Sequence, residues 1–173
     1  GKSFFGKTSN LPSPFKNLSS GFAEEVTEMC YNKAVGGDCM EQQTAVRIEK
    51  GRGALTIFAS YFSGTGKTFR MLEAATQVHR AGGDVVIGLL SCSQWPQTQA
   101  MAEPFESMPQ RVVTAGDDVI YEIDLDACLK RRPQILLIDD LSHVNAEGSR
   151  HKNRYRDIEE LLKAGIDVYT TVD

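Results

Sequence analysis

The sequence predicts an α/β fold in which helices cover both faces of a parallel β-sheet, a three-layer αβα arrangement. From residue 54 onward, apolar runs of strand length alternate with helical patterns, which is typical of parallel strands joined by crossover helices. The run 135–139 is nearly all apolar, as expected for a central strand that is buried on both faces. With 173 residues, the chain has the size of a single domain.

The predicted elements follow one another in a regular order. The predicted strands are residues 55–60, 84–90, 111–114, 135–139 and 166–172. The predicted helices are residues 67–81, 96–107, a short helix within 121–132, and 155–164. The inward faces predicted for the first and last helices consist of Met71, Leu72, Ala75 and Val78, and of Ile158, Leu161 and Leu162. Gly82 with Gly83, and Gly165, are expected to end these two helices.

Residues 1–53 have a different composition from the rest of the chain. Serine, asparagine, lysine and isolated phenylalanines dominate as far as Ser20, and two short helical patterns follow. The first pattern is ended by Gly36 and Gly37, and the second covers residues 38–48. We expect an N-terminal arm that is partly helical or disordered and either packs on the following domain or extends from it.

Composition argues against several classes of protein. The 23 acidic and 19 basic residues give a net charge of -4, so nucleic acid is not an expected partner. The cysteines, Cys30, Cys39, Cys92 and Cys128, form no C-x-x-C pair, so we expect no zinc site, no disulfide framework and a reducing, cytoplasmic location. No apolar run approaches the roughly 18 residues of a membrane span, so this stretch of chain is expected to be soluble.

The segment S-G-T-G-K-T lies directly between a predicted buried strand and an amphipathic helix, where a phosphate-binding loop is expected. Its candidate nucleotide-binding residues are Ser63, Gly64, Thr65, Gly66, Lys67 and Thr68. The glycines permit positive φ angles, so that backbone N–H groups at the helix N-terminus can approach phosphate oxygens. We expect Lys67 to contact the β- and γ-phosphates as a catalytic residue, and the Thr68 hydroxyl to bind Mg²⁺.

The phosphate-loop pattern is incomplete. Tyr61 occupies the position of the first glycine in G-x-x-x-x-G-K-[ST]. The alternative interpretation is a tight strand-to-helix turn that contains Lys-Thr by chance. The segments 1–3 and 6–8 also end in G-K-[ST], but neither lies between a strand and an amphipathic helix, so we do not interpret them as phosphate loops.

A second acidic motif follows the apolar run 135–138, where the sequence continues with two aspartates. This pattern is typical of a Walker B strand. Asp139 is expected to hold Mg²⁺ through water beside Thr68, and Asp140 to orient a nucleophilic water. The alternative is an aspartate that caps a helix or stabilises a turn after a buried strand. The two motifs together are much less easily explained by chance than either motif alone.

The segment after the second motif, S-H-V-N-A-E-G-S-R-H-K, is rich in polar and basic residues, and Arg154 and Arg156 follow on the next helix. We expect a sensor loop for the γ-phosphate here, with Arg150 as the candidate that stabilises charge. The alternative is a solvated basic turn in which Ser149 caps a helix. His143 is more simply a hydrogen-bonded loop histidine than a catalytic base.

Five ordered stretches carry a resemblance to a known family: G-T-G-K-T-F-R-M-L-E-A-A, G-G-D-V-V-I-G, D-L-D-A-C-L-K-R-R-P, L-L-I-D-D-L-S-H-V-N-A-E-G-S-R-H and R-D-I-E-E-L-L-K-A-G-I-D-V-Y-T-T-V. Over residues 52–173, the sequence resembles the N-terminal cytoplasmic domain of the KdpD family of bacterial sensor histidine kinases. The resemblance implies a P-loop NTPase-like fold that binds ATP. It also implies a role in regulating the kinase and phosphatase activities of a membrane-anchored kinase that phosphorylates a response regulator.

The resemblance assigns the phosphate and metal roles to Gly64, Gly66, Lys67, Thr68 and Asp139. Residues that match the signature after the Walker B strand are His143, Asn145, Ser149, Arg150 and His151. Asp140 departs from the family, which usually has glutamate there, so the side chain expected to orient water is one methylene shorter. The segment L-S-C-S-Q-W also replaces the family's usual V-E-T-H-G-R.

We therefore expect residues 54–173 to form a P-loop nucleotide-binding domain. The domain is expected to be truncated at its C-terminal end, because a doubly wound sheet seldom ends on a bare strand. Without a phosphoacceptor region and a kinase catalytic domain, it would have weak ATPase activity at most. The alternatives are a stand-alone P-loop ATPase, a phosphotransferase that resembles nucleoside kinases, and a degenerate P-loop that serves as an interaction module. The oligomeric state stays open.

Overall fold

The computed structural model describes residues 44–50, 53–60, 64–91, 95–115 and 118–172. The strands are β1 (Thr44–Lys50), β2 (Gly53–Ala59), β3 (Val85–Leu89), β4 (Glu106–Ser107), β5 (Gln110–Ala115), β6 (Asp118–Ile123), β7 (Ile135–Ile138) and β8 (Asp167–Val172). The helices are α1 (Lys67–Arg80), α2 (Pro96–Ala102), α3 (Leu125–Arg131) and α4 (Arg154–Lys163).

In the described part of the chain, the main sheet has 6 strands in the order β1-β2-β8-β7-β3-β4. All strands from β2 to β4 in this order run parallel, and β1 adds to the edge antiparallel to β2. The predicted α/β fold with a parallel sheet is confirmed. Because parallel strands share one direction, the carboxyl ends of β3, β7 and β8 lie at the same edge of the sheet.

The apolar side chains of β7 show how the three layers are held together. Leu136 and Ile138 belong to the core that also contains the buried residues of α4. Ile135 and Leu137 belong to the core that contains the buried residues of α1. Successive residues of a strand point to opposite faces, so β7 is buried between two helical layers. This burial on both faces explains why its sequence is continuously apolar.

The predicted helix 38–48 is wrong where the structure describes it. Residues 44–50 form β1, paired with β2 from Thr44 opposite Ala59 to Lys50 opposite Gly53. Val46 and Ile48 alternate with polar residues, a period-two pattern that suits a strand, and β2 provides hydrogen-bond partners along one edge of this segment. Residues 1–43 lie outside the described residues, so the first helical pattern and the boundary of the arm stay predictions.

A second difference lies between β3 and β7. The predicted helix 96–107 ends at Ala102, because Pro104 cannot continue it, and the chain then forms the short β4. The predicted strand 111–114 is present as β5, but it pairs with β6 in a separate two-stranded hairpin rather than joining the main sheet. The short helix predicted within 121–132 is α3, which begins after Asp124 accepts a hydrogen bond from the Ala127 N–H at 2.9 Å.

The ends of the two long helices follow the sequence. Both helices end at the predicted glycines: Gly82 after α1 has φ 89° and Gly165 after α4 has φ 90°, and both occupy the left-handed region. Met71, Leu72 and Ala75 are buried on the inner face of α1. Among the described residues, no helix combines the length and the apolar character that crossing a bilayer requires.

Candidate functional site

The candidate phosphate loop connects β2 to α1. Gly64 and Gly66 have φ angles of 76° and 85°, the left-handed conformation that glycine adopts without strain. Both are exposed, and the Gly66 carbonyl accepts the Arg70 N–H at 2.9 Å, which starts the helix. The loop therefore presents an open backbone at the N-terminus of a 14-residue helix. Ser63 lies outside the described residues.

Lys67 and Thr68 begin α1 and have different surroundings. Lys67 is only 6% exposed, which is unusual for lysine because burying an ammonium group requires compensating partners. The Thr68 hydroxyl donates toward the Asp139 carboxylate, with Oγ1 at 3.3 Å from Oδ1 and 3.4 Å from Oδ2. The fold thus brings together Thr68 and Asp139, the two residues for which a metal role is predicted, although 71 positions separate them in the chain.

Asp139 follows β7 and is also only 6% exposed. Its carboxylate accepts hydrogen bonds from the Thr171 hydroxyl of β8 and, at 3.3 Å, from the Ser91 N–H after β3. Its own N–H donates to the Leu89 carbonyl at 2.9 Å. The side chain is therefore held by groups from the ends of the two strands that flank β7.

Asp140 adopts a positive φ of 57°, which aspartate tolerates better than most residues. Its N–H donates to the Thr171 hydroxyl at 3.0 Å. Its Oδ1 accepts the Ser142 N–H at 3.2 Å and the Ser142 hydroxyl at 2.6 Å, so the carboxylate closes a local turn. The role of Asp140 in orienting a water stays a prediction.

A buried ionic cluster lies next to Asp139. Arg154, the first residue of α4, donates from Nη1 to the Asp139 carbonyl at 3.0 Å and from Nη2 to Glu122 Oε2 at 3.0 Å. Glu122 Oε1 accepts the Ala146 N–H at 2.8 Å and lies 2.8 Å from His143 Nε2. Because an ionised carboxylate only accepts, that imidazole nitrogen carries a proton. His143 is thus the hydrogen-bonded loop histidine that its sequence context favours.

The pKa of Glu122 reflects this cluster. Burial raises the pKa of Glu122, but hydrogen bonds from His143, the Ala146 N–H and Arg154 lower it further than burial raises it. The net pKa lies below the usual value for glutamate, so the side chain is ionised at neutral pH.

Arg150 pairs with residues of α3 and α4. Its guanidinium forms ion pairs with Asp126 and, at 2.7 Å, with Glu160. These carboxylates raise the pKa of Arg150. In the described structure its partners are therefore acidic residues of two helices, and its predicted role as a charge-stabilising catalytic residue stays a prediction.

The rest of the signature loop is tied to α4. Asn145 Nδ2 donates to Asp157 Oδ2 at 2.6 Å, and His151 Nδ1 lies 2.8 Å from Asp157 Oδ1. Burial raises the pKa of Asp157 more than these two partners lower it. Asn145, His151 and Asp157 therefore fix the path of the loop between β7 and α4.

Thr171, Ser91 and Glu122 contact the site residues, but the sequence assigned them no role. The positions of Thr171 and Ser91 could have been predicted from a general property of parallel sheets. The carboxyl ends of parallel strands meet at one edge, so residues after β3 and late in β8 are expected near Asp139. Glu122 carried a weaker signal, an acid between apolar residues in V-I-Y-E-I. The short helix predicted within 121–132 obscured that signal.

Comparison with known proteins identifies the family. The model of the family described as KdpD, osmosensitive K⁺ channel His kinase sensor domain, matches residues 51–173. The chain belongs to the KdpD family. It is 45% identical over 122 residues to the sensor protein KdpD of Escherichia coli K12 and 42% identical over 124 residues to that of Clostridium acetobutylicum. A sensor protein KdpD of Mycobacterium tuberculosis is 37% identical over 122 residues.

These KdpD relatives are much longer proteins. The alignments cover 70 to 72% of this chain but 14% of each of the three relatives. The matched region contains the candidate phosphate loop, the acidic strand end and the signature loop, and it begins at residue 51, just before β2.

Proposed function

We propose that this chain binds ATP with Mg²⁺ at the edge of the sheet where residues 64–68 meet the end of β7. In this proposal the domain is a regulatory module of a potassium-responsive KdpD sensor kinase, and nucleotide binding changes the balance of kinase and phosphatase activities. The remainder of the membrane-anchored kinase and its response regulator would be its partners, in the cytoplasm.

The contact between Thr68 and Asp139 is the observation that supports this proposal most strongly. A hydroxyl and a carboxylate within 3.4 Å of each other are oxygen ligands of the kind that Mg²⁺ prefers, directly or through water. They lie beside a glycine loop in the left-handed conformation at a helix N-terminus, which favours phosphate. The residues present therefore fit a magnesium–nucleotide complex, in which the metal would neutralise phosphate charge.

Slow hydrolysis, or none, suits this site better than fast turnover. The Asp140 carboxylate accepts two hydrogen bonds from Ser142, and Arg150 is paired with Asp126 and Glu160. Either side chain would have to leave these partners to act on a phosphate or a water. A binding module that responds to nucleotide without consuming it quickly is consistent with a regulatory role.

Calorimetric titration tests the proposal directly. Mg-ATP and a non-hydrolysable analogue are titrated into the parent and into Lys67→Ala, while phosphate release is followed in parallel. We expect the parent to bind and Lys67→Ala to lose at least about tenfold in affinity, or about 1.4 kcal/mol. The rate of phosphate release then distinguishes a regulatory switch from an ATPase.

Lys163→Ala is the matched control. Lys163 ends α4 and is largely exposed, where it pairs with Glu159 at 3.3 Å, so its loss removes one positive charge far from the loop. Its affinity for Mg-ATP should equal that of the parent. Circular dichroism must show that all three proteins are folded. Absence of binding to the folded parent would reject the proposal and favour a degenerate P-loop that serves as an interaction module.

A further inference from the structure

The backbone carbonyl of Asp139 has an unusual partner. The pairing of β7 with β8 ends at Ile138 opposite Thr170, and Asp140 then adopts a left-handed conformation. The Asp139 carbonyl instead accepts a hydrogen bond at 3.0 Å from the buried guanidinium of Arg154. The peptide that sets the direction of the Asp139 side chain is therefore held by a charged group from α4.

Arg154 is itself held by Glu122. Arg154 is 2% exposed and Glu122 is 1% exposed, and Arg154 Nη2 lies 3.0 Å from Glu122 Oε2. Glu122 is carried by the β5–β6 hairpin, which lies outside the main sheet, and the same carboxylate contacts His143 and the Ala146 N–H. One carboxylate thus links the hairpin, the loop after β7 and the end of β7.

Stability alone does not explain a buried pair of this kind. Apolar residues of similar volume often replace a buried ion pair with no loss of stability. In addition, Arg154 Nε has no hydrogen-bond partner in the described structure, so the burial of this guanidinium is incompletely compensated. An apolar residue could not hold the Asp139 carbonyl, because it has no donor. The guanidinium can, because its fork of N–H groups meets two acceptors at once.

We infer that Arg154 is a positioning residue for the metal–nucleotide site, that Glu122 fixes it in place, and that the β5–β6 hairpin is thereby coupled to that site. The inference rests on the proposed function. It predicts that Arg154 acts through Asp139, and hence on the part of nucleotide affinity that depends on Mg²⁺. The metal-free affinity, which depends on Lys67 and the loop backbone, should be independent of Arg154.

The test compares ATP affinity with excess Mg²⁺ and with EDTA in the parent, Arg154→Lys and Glu122→Gln. Lysine keeps the buried positive charge but lacks the planar fork that meets both acceptors. In both variants we expect the ratio of the affinity with Mg²⁺ to the affinity with EDTA to fall at least fivefold. The affinity with EDTA should stay within twofold of that of the parent. Arg156→Lys is the matched control, because Arg156 lies on the same helix and forms an exposed pair with Glu159. Its ratio should equal that of the parent.

Each other outcome has a definite meaning. Suppose that the parent binds ATP more tightly with Mg²⁺ and that the folded variants have the same ratio of affinities as the parent. This outcome overturns the inference and leaves the proposed function intact. Equal losses with and without Mg²⁺ indicate a structural role only and also overturn it. A folded parent that binds no nucleotide overturns both. If Arg154→Lys does not fold, Glu122→Gln carries the test, since its amide oxygen can still accept from His143 or Ala146.

Discussion

The hydroxyl of Thr171 donates a hydrogen bond to the carboxylate of Asp139, which joins the last strand of the sheet to the end of β7. The same oxygen accepts the Asp140 N–H at 3.0 Å. One side chain therefore orients both residues of the acidic motif. Because Thr171 is buried, water cannot easily replace either bond.

Replacing Thr171 with valine should affect both stability and binding. Thr171→Val keeps the shape of the side chain but leaves the Asp140 N–H and one bond of Asp139 without a partner. We expect the free energy of unfolding to fall by about 1 to 3 kcal/mol. We also expect weaker Mg-ATP binding, because Asp139 loses part of its support. Urea unfolding followed by circular dichroism, and calorimetry, measure the two effects.

The neighbouring threonine provides a close control for this substitution. Thr170 is also fully buried on β8, but among the described residues its hydroxyl reaches only the Thr171 carbonyl at 3.5 Å. Thr170→Val should therefore lower the free energy of unfolding by less than Thr171→Val does and leave nucleotide affinity unchanged. Equal effects of the two substitutions would show that the hydroxyl of Thr171 has no special role at the acidic motif.

Alanine substitutions at Gly64 and Gly82 distinguish the effect of backbone strain from the effect of phosphate contact. Gly64 and Gly82 have φ angles of 76° and 89°, and apart from its chain neighbours a Cβ on either would meet no atom of the described residues within 4 Å. Each alanine substitution should therefore cost about 1 to 2 kcal/mol of stability through the left-handed conformation alone. Only Gly64→Ala should also weaken nucleotide binding, because its Cβ lies on the candidate phosphate loop. If both variants bind Mg-ATP like the parent, the loop does not closely approach the phosphates.

Much of the fold was readable from local sequence patterns. The strand β7 is specified by its apolar run and the two aspartates that follow it, because burial on both faces leaves little room for polar residues before the strand ends. The helix α1 is specified by its glycine loop, its apolar stripe and Gly82. In these segments, the period of hydrophobicity and the turn residues favour the same structure.

The misassigned segments are those in which pairing partners decide the structure. In β1, Val46 and Ile48 alternate with polar residues, but the pairing with β2 that makes this segment a strand is not revealed by a local pattern. β6 contains Glu122, an acid that looks misplaced in a strand until Arg154 and His143 are seen beside it. These contacts join residues 21 to 32 positions apart, so no local signal specified them.

The thiol of Cys128 should be unreactive in the folded protein. Burial, together with the nearby charge of Asp124, raises the pKa of Cys128 to about 12. At pH 8 almost none of it is thiolate, which is the reactive form. After exposure to iodoacetamide, mass spectrometry should find the peptide that contains Cys128 unlabelled in native buffer and labelled in urea. Rapid labelling in native buffer would contradict the burial of this residue in the core.

The buried Glu122 should make stability depend on acid pH. Its pKa is lowered from the usual 4.5, because the hydrogen bonds from His143, the Ala146 N–H and Arg154 outweigh the effect of burial. A lowered pKa in the folded state means that the ionised form stabilises the fold above the unfolded pKa. This contribution is lost as pH falls from about 4.5 through the lower folded value.

Comparison with Glu122→Gln isolates that contribution. At pH 7 the free energy of unfolding of the variant should be about 3 kcal/mol lower than that of the parent, because the substitution leaves the buried Arg154 without its counter-charge. Below about pH 4.5 the difference should shrink, because Glu122 takes up a proton in the unfolded parent, and it should level off once the folded glutamate is also protonated and resembles glutamine. Repeating both measurements in a His143→Gln background removes any contribution of the imidazole. A difference that stays constant from pH 7 to pH 3 would mean that Glu122 supports the fold through its shape and not through its charge.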